Sequence, residues 1–246
     1  MARSKNPSEE AAEARRWRRV FDDGRGAALE MARLWTRLPE LSRHPRGSGE
    51  TVLVLPGLGA GDGSTVILRN HLRRLGYQVH GWGLGINSGD VPKLLRRVIE
   101  KVLELSRASG APVKLVGWSL GGYLAREAAR EVPHAVDRVI TLGSPVIGGP
   151  RHTAVAPLYR RAGASFDAID AIMARRELRP IEVPIVAIYS EEDGIVDWHA
   201  CIDRKSPRVE HVRVRATHLG LGFAPEVLRI VAERLAEDGS TGERAR

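Results

Sequence analysis

Val113-Lys114-Leu115-Val116-Gly117-Trp118-Ser119-Leu120-Gly121-Gly122 carries an apolar run into a Gly-x-Ser-x-Gly turn. Tyr123-Leu124-Ala125-Arg126-Glu127-Ala128-Ala129 follows without a break and reads as a helix. The order is strand, sharp turn with one serine, helix. A serine hydroxyl is a poor nucleophile unless it is held exposed beside a base. A tight strand-to-helix elbow lifts Ser119 out of the sheet and points the start of a helix at the reacting atoms. Gly117 and Gly121 have a steric job, because a side chain at either place would meet the strained turn or its neighbours. A bare Gly-x-Ser-x-Gly arises by chance in a chain of this length on the order of one time in ten at average Gly and Ser usage. The flanking strand and helix patterns lower that several-fold.

Partners for such a serine lie downstream. Pro184-Ile185-Val186-Ala187-Ile188-Tyr189 is a buried-strand pattern, and it runs into Ser190-Glu191-Glu192-Asp193-Gly194-Ile195-Val196-Asp197-Trp198. Val209-Glu210-His211-Val212-Arg213-Val214 alternates like a strand and leads to Ala216-Thr217-His218-Leu219-Gly220. The chain order is serine, acid, histidine. Each follows the C-terminal end of an expected strand, where open α/β sheets put their functional groups. That order is the one found on the α/β-hydrolase fold. His218 sits in a glycine-containing loop and is the candidate base. The other histidines, His44, His71, His80, His134, His152, His199 and His211, mostly fall in expected helices, strands or polar loops. His211 is the nearest rival, but it lies mid-strand. For the acid, Glu192, Asp193 and Asp197 share one loop. Asp193-Gly194 is a natural turn pair, whereas Asp197 suits the cap of a short turn before His199. Asp137, just before the expected strand at 138–142, is a further alternative.

Several blocks together carry a resemblance: Leu55-Pro56-Gly57-Leu58-Gly59, the elbow itself, Leu142-Gly143-Ser144-Pro145, Tyr189-Ser190 with Asp193-Gly194-Ile195-Val196, and Thr217-His218-Leu219-Gly220-Leu221. Over about residues 50–236 the chain resembles the α/β-hydrolase superfamily, and within it bacterial esterases and lipases. The resemblance implies ester hydrolysis through an acyl-enzyme, with no cofactor, and it puts the acid at Asp193. Ser119 would be the nucleophile, His218 the general base and then acid, and Asp193 the partner that fixes the imidazole tautomer. Two N–H donors would hold the oxyanion: that of Leu120, directly after the nucleophile, and that of Leu58 in the loop after the first central strand. The chain departs from the His-Gly pair of many lipases, since Pro56 stands where that histidine would be. The substrate is not fixed by the fold, which hosts many unrelated activities.

Length and patterning agree. A chain of 246 residues fits one α/β domain with a large core. Strands are expected near 51–55, 77–80, 113–117, 137–142, 184–189 and 209–214, and helices near 64–75, 91–109, 120–131 and 225–236. This alternation predicts an α/β fold: a mostly parallel central sheet with helices on both faces. The hydrolase domain spans 49–237, and 238–246 reads as a frayed tail. Residues 148–180 break the alternation and hold a helical stretch near 166–176. They read equally as a short helical cap facing substrate and as an ordinary excursion between strands. The segment carries few large apolar residues, which favours soluble or short-to-medium acyl substrates over an interfacial lipase lid.

Residues 1–48 form an N-terminal helical extension outside the core pattern. Trp17, Val20 and Phe21 stand among Arg15, Arg16, Arg18 and Arg19, and a second helical run over 27–41 is expected to place Ala28, Met31 or Ala32, Trp35 and Leu38 on one apolar face. One reading is weak contact of a basic amphipathic helix with an anionic membrane surface. The other is a helix packed on the hydrolase body, which the acidic Glu9, Glu10, Glu13, Asp22 and Asp23 favour by diluting the charge. No apolar stretch reads as a signal peptide or a membrane span, and the single Cys201 cannot pair internally. A cytoplasmic location is the expectation. Cys201 itself reads as a small buried residue.

The net charge of +8 comes from arginines spread along many helices, with no nucleic-acid motif, so no nucleic-acid partner is expected. No metal cluster is visible. Gly57-Leu58-Gly59-Ala60-Gly61-Asp62-Gly63 lacks the dinucleotide register. Trp82, Trp118 and Trp198 are candidates for the wall of a substrate pocket, or for core packing under loops. Two function classes stand: a serine hydrolase acting on a small-molecule ester or lipid, and a non-catalytic scaffold of the same fold that binds a ligand, a partner or a membrane surface.

Overall fold

A computed structural model describes residues 7–161, 163 and 165–237. The tail expected at 238–246 lies outside the described residues. The strands are β1 (Thr51–Leu55), β2 (Gln78–Gly81), β3 (Val113–Trp118), β4 (Val136–Leu142), β5 (Ile185–Ser190) and β6 (Val209–Val214). The helices are α1 (Pro7–Leu41), α2 (Val66–Arg74), α3 (Val91–Ser109), α4 (Leu120–Glu131), α5 (Ala156–Arg161), α6 (Phe166–Glu177) and α7 (Pro225–Ala236).

The strands form one sheet in the order β2-β1-β3-β4-β5-β6, and every pairing is parallel. Side chains alternate across a pleated strand, so each strand feeds two cores. Val52, Val54, Val116, Ile140 and Ile188 pack with Leu68 and Leu72 of α2 and Val227 and Val231 of α7. Leu53, Leu55, Leu115, Val139 and Ile185 pack on the opposite face with Leu95 and Val98 of α3 and Leu124 and Ala128 of α4. Both faces being covered is why these strands read as nearly continuous apolar runs. The edge strand β6 instead exposes Glu210, His211 and Arg213, charges that discourage pairing with another chain.

Local signals explain the element ends. The Asp90 side chain accepts from Lys93 N–H at 3.2 Å to cap α3, Pro92 occupies its first turn, and Gly110 closes it in the left-handed region at φ 68°. The helix expected over 64–75 is instead a 3₁₀ turn, Asp62–Thr65, leading into α2.

The chain leaves β1 toward β2 on one side and returns to β3 on the other. The C-terminal ends of β1 and β3 therefore flank a crevice at the point where the winding reverses, the usual ligand position in open α/β sheets. Residues 56–60 and Ser119 lie at this rim.

The N-terminus differs from the expected pair of helical runs. Pro7–Leu41 is one continuous helix of 35 residues. Asp23, Ala27, Glu30, Leu34 and Leu41 recur near helical spacing and are all buried, and Leu34 and Leu41 join the core beside α7. Sequence patterning overlooked this face because two of its five members are carboxylates. Trp17, Phe21 and Trp35 project outward and are exposed, on the side that the membrane-contact reading concerns.

Between β4 and β5 the chain makes a 3₁₀ turn, Gly149–His152, then α5 and α6. Arg151 holds Asp167 and Asp170 at 2.6 and 2.8 Å. Arg176 of α6 pairs with Glu131 at 2.8 Å and with the buried Glu127, tying the segment to α4. Among the described residues, no helix is long and apolar enough to cross a membrane.

Candidate active site

Ser119 has φ 53° and ψ −122°, and it is the only non-glycine residue with a positive φ among the described residues. Such a conformation is costly and persists only where its surroundings over-determine it. Here they do. Ser119 N–H donates to the carbonyl of Leu142 at 2.8 Å, and the Ser119 carbonyl accepts from Gly122 N–H at 2.9 Å. The start of α4 also lies hard against the end of β1, so that a Cβ at Gly121 would run into the carbonyl oxygens of Leu55 and Pro56. The elbow read from the sequence is therefore formed.

Asp193 and His218 meet. His218 Nδ1 lies 2.6 Å from Asp193 Oδ2, and both side chains are buried. Asp193 Oδ1 accepts from Ile195 N–H at 2.9 Å and Val196 N–H at 2.6 Å. A carboxylate can only accept, so in the neutral imidazole this contact favours the tautomer with its proton on Nδ1 and the lone pair on Nε2. The rival acids are engaged elsewhere. Asp197 caps the 3₁₀ turn Trp198–Cys201 by accepting from His199 N–H at 3.0 Å, and it contacts His199 Nδ1 at 2.8 Å. Asp137 pairs with Lys114 at 3.0 Å near the N-terminal end of β4, the far end of the sheet from Ser119. Glu192 is exposed, as is His211 in the middle of β6. Cys201 is buried, and burial pushes its thiol well above the usual range, so it is no nucleophile.

The serine is not joined to this pair. Among the described residues no hydrogen bond links Ser119 Oγ to His218. The imidazole is nonetheless held at the same rim. Trp118, one residue before the elbow, donates from Nε1 to the His218 carbonyl at 3.1 Å, and its ring lies 6.3 Å from the imidazole.

The two expected N–H donors are free. Neither Leu58 N–H nor Leu120 N–H has a hydrogen-bond partner among the described residues. Leu120 is the first residue of α4, where orphan N–H groups and the helix dipole favour negative charge. The Leu58 loop is held by Asn87, which is completely buried. Asn87 Nδ2 donates to the Pro56 carbonyl at 3.0 Å, its carbonyl accepts from Gly59 N–H at 2.8 Å, and its N–H donates to the Ala60 carbonyl at 2.8 Å. Nothing in the sequence marks Asn87 for this task, since it lies 31 positions from the carbonyl it holds.

A cavity of about 310 Å³ opens at Ser119. Leu58, Leu120 and Tyr123 line it together with Val155, Tyr159, Ile169 and Met173 of the 148–180 segment. Residues of that segment therefore share a cavity with Ser119. Tyr123 lies four residues after Ser119, one helical turn along the same face, a spacing that was available in the sequence. Burial pushes its phenol up to about 12. Burial also raises Tyr159.

None of the three tryptophans lines this cavity. Trp82 is core, its indole N–H donating to the Gly85 carbonyl at 3.0 Å. Trp118 packs behind the His218 loop. Trp198 stacks on Tyr189 and His199 and lines a larger groove of about 880 Å³ beside α1, which Asp193 and Thr217 also line. Large aromatic side chains near a site fill the space under its loops as readily as they face substrate. Among the described residues, no group of three or more His, Cys, Asp or Glu side chains is placed to hold a metal ion.

The chain thus has the α/β-hydrolase fold, with a serine elbow, an Asp-His pair and a cavity at one rim of its sheet. No protein-family model matches the sequence, and no curated protein matches it. Solved structures do. One, from work on LipS and LipT, two metagenome-derived lipolytic enzymes, has a TM-score of 0.59 at 18% identity and covers 78% of this chain and 94% of its own. Aspergillus fumigatus lipase B has a TM-score of 0.60 at 20% identity, over 80% of this chain and 56% of its own. Bacillus licheniformis lipase BlEst2 has a TM-score of 0.58 at 16% identity, over 78% of this chain and 94% of its own. At such identities the likeness establishes the fold.

Proposed function

We propose that the protein is a serine hydrolase that cleaves carboxylic esters of short-to-medium acyl chains through an acyl-enzyme. The observation that carries this reading is the strained Ser119 elbow opening on an apolar cavity, with the unpartnered N–H groups of Leu58 and Leu120 beside it. Function on this fold is argued from the site, and these are the parts acyl transfer needs.

In the proposed reaction Ser119 Oγ attacks the ester carbonyl carbon and His218 Nε2 takes the hydroxyl proton. That step requires the hydroxyl to swing onto Nε2, a hydrogen bond that often tightens only when substrate is bound. Asp193 keeps the proton on Nδ1 and stabilises the imidazolium. The carbonyl oxygen gains negative charge and is met by Leu58 N–H and Leu120 N–H, donors of a kind whose individual loss typically costs about 10²–10³ in rate. His218 then protonates the leaving alcohol. A water activated by the same imidazole attacks the acyl carbon and frees Ser119. A cavity of about 310 Å³ is small for a ligand site, which supports short-to-medium chains. The names of the structural neighbours, lipolytic enzymes and lipases, agree with ester chemistry.

Labelling with a fluorophosphonate probe tests the reading. Wild type labels, while Ser119→Ala and His218→Ala do not. A folded wild type that stays unlabelled overturns it in favour of a non-catalytic scaffold. A panel of p-nitrophenyl esters from acetate to palmitate tests the chain length. Peak activity on palmitate would refute the short-to-medium assignment.

A further inference from the structure

We infer that Asp23, on the N-terminal helix, is a positioning residue for the Asp193–His218 pair; the inference rests on the hydrolase reading above. Asp193 and His218 stand on loops that leave β5 and β6, and the ladder between those strands ends at Ser190 and Val214. Beyond that point the parallel ladder no longer sets the distance between the loops. Asp23 bridges them from outside the sheet. Its Oδ2 accepts from Gly194 N–H at 3.0 Å and from His218 N–H at 2.7 Å, and its Oδ1 accepts from Leu219 N–H at 2.9 Å. One carboxylate thus holds the residue after the acid together with the base and its successor. Asp23 is only 2% exposed, so the carboxylate has no water to turn to and is held by these three N–H groups, of which that of His218 is itself buried.

The rest of the helix face is built to bring Asp23 in. About two turns further on, Glu30 Oε1 accepts from Thr217 N–H at 2.9 Å and its Oε2 from the Thr217 hydroxyl at 3.2 Å. Between the two carboxylates stands Gly26, where a Cβ would run into the Thr217 side chain, so only glycine allows this approach. Two buried carboxylates on one helix face, both spent on the loop that carries His218, are a poor way to dock a helix. Apolar side chains would do that with less desolvation. They are a good way to hold backbone N–H groups at fixed positions, which is what orienting an imidazole requires.

Kinetics of Asp23→Asn and Leu34→Ala in the full chain test this. Asn keeps the shape of the group but offers one acceptor oxygen and an NH₂ that faces donors. Leu34 lies on the same buried helix face, within the apolar core, and its truncation loosens the helix without altering the carboxylate. Asp23→Asn is expected to lower kcat on a p-nitrophenyl ester about 10- to 100-fold with KM within about 2-fold of wild type, since small misplacements of catalytic groups cost rates of that order. Its fluorophosphonate labelling slows in parallel. Leu34→Ala lowers the melting temperature but keeps kcat near wild type below the melt. Near-wild-type kcat in Asp23→Asn overturns the inference. So do equal kcat losses in the two variants at matched melting temperature, which would make Asp23 a docking residue only. If Asp23→Asn does not fold while Leu34→Ala does, the carboxylate serves the fold and the inference is likewise overturned. A wild type that neither labels nor turns over ester refutes the hydrolase reading instead, so the two failures are distinct.

Discussion

Asp193 shows how much chemistry one side chain can carry. Its Oδ1 takes two backbone N–H groups and its Oδ2 takes His218 Nδ1. Asp193→Asn is nearly isosteric but splits these tasks. The amide oxygen stays on the N–H groups of Ile195 and Val196, so the NH₂ faces Nδ1. The imidazole must then accept there and carry its proton on Nε2, where the proposed base needs a lone pair. Activity on p-nitrophenyl esters should fall about 10³–10⁴-fold with little change in melting temperature, as expected for a tautomer error at intact geometry. Activity within about 10-fold of wild type would show that Asp193 is not the acid. The turn chemistry of Asp193-Gly194 was legible in sequence, as was the cap role of Asp197. The roles of Asn87 and Asp23 were not, because each is defined by backbone groups distant in sequence, 31 residues away for Asn87 and 171 to 196 for Asp23.

At the scale of elements, α6 decides the shape of the cavity. Ile169 and Met173, one turn apart, line the same cavity as Ser119. Ile169→Trp narrows the space and should move the preferred p-nitrophenyl ester toward acetate. Met173→Ala enlarges it and should move the preference to longer chains, at a stability cost of about 2–5 kcal/mol for truncating a buried methionine. Chain-length profiles that do not shift in opposite directions would mean that α6 does not meet the acyl group. Periodicity located this helix well, near 166–176 in sequence and Phe166–Glu177 in the structure. What it faces is a matter of docking: Arg176 on Glu127 and Glu131 draws α6 over α4, and no local pattern encodes that meeting. The reverse error befell α1, where the expected apolar face at Ala28, Trp35 and Leu38 is exposed and the buried face includes the carboxylates of Asp23 and Glu30.

For the whole molecule, acid sensitivity follows from a histidine outside the site. His71 on α2 is buried, with His44 Nδ1 3.1 Å from its Nε2. Burial, then His44 and Arg74, lower it to about 4. A base held below its unfolded value of about 6.5 lets the unfolded chain bind the extra proton between these values. Its stabilising contribution is therefore present above about pH 6.5 and is lost as the pH falls toward 4. Asp203 works in a lower window. Burial acts to raise it, but Arg126 at 2.7 Å and the Lys205 N–H hold it at about 2, so its contribution is lost only below about pH 4. Urea unfolding at pH 7.5 and pH 5 should show wild type losing at most about 2 kcal/mol more than His71→Leu. Identical pH dependence in the two proteins would exclude His71 as the source.

The six strands, the helices α3, α4, α6 and α7, the parallel sheet and the elbow at Ser119 were all contained in local patterning. The reason is physical: burial on both faces demands continuous apolar strands, and the elbow demands glycine at fixed offsets from the serine. Tertiary structure alone decided what the N-terminal helix holds, which side chains wall the cavity, and that none of the three tryptophans lines it. Those outcomes depend on contacts between segments far apart in the chain, where a carboxylate finds backbone N–H groups or an indole finds a gap under a loop, and no sequence period records such meetings.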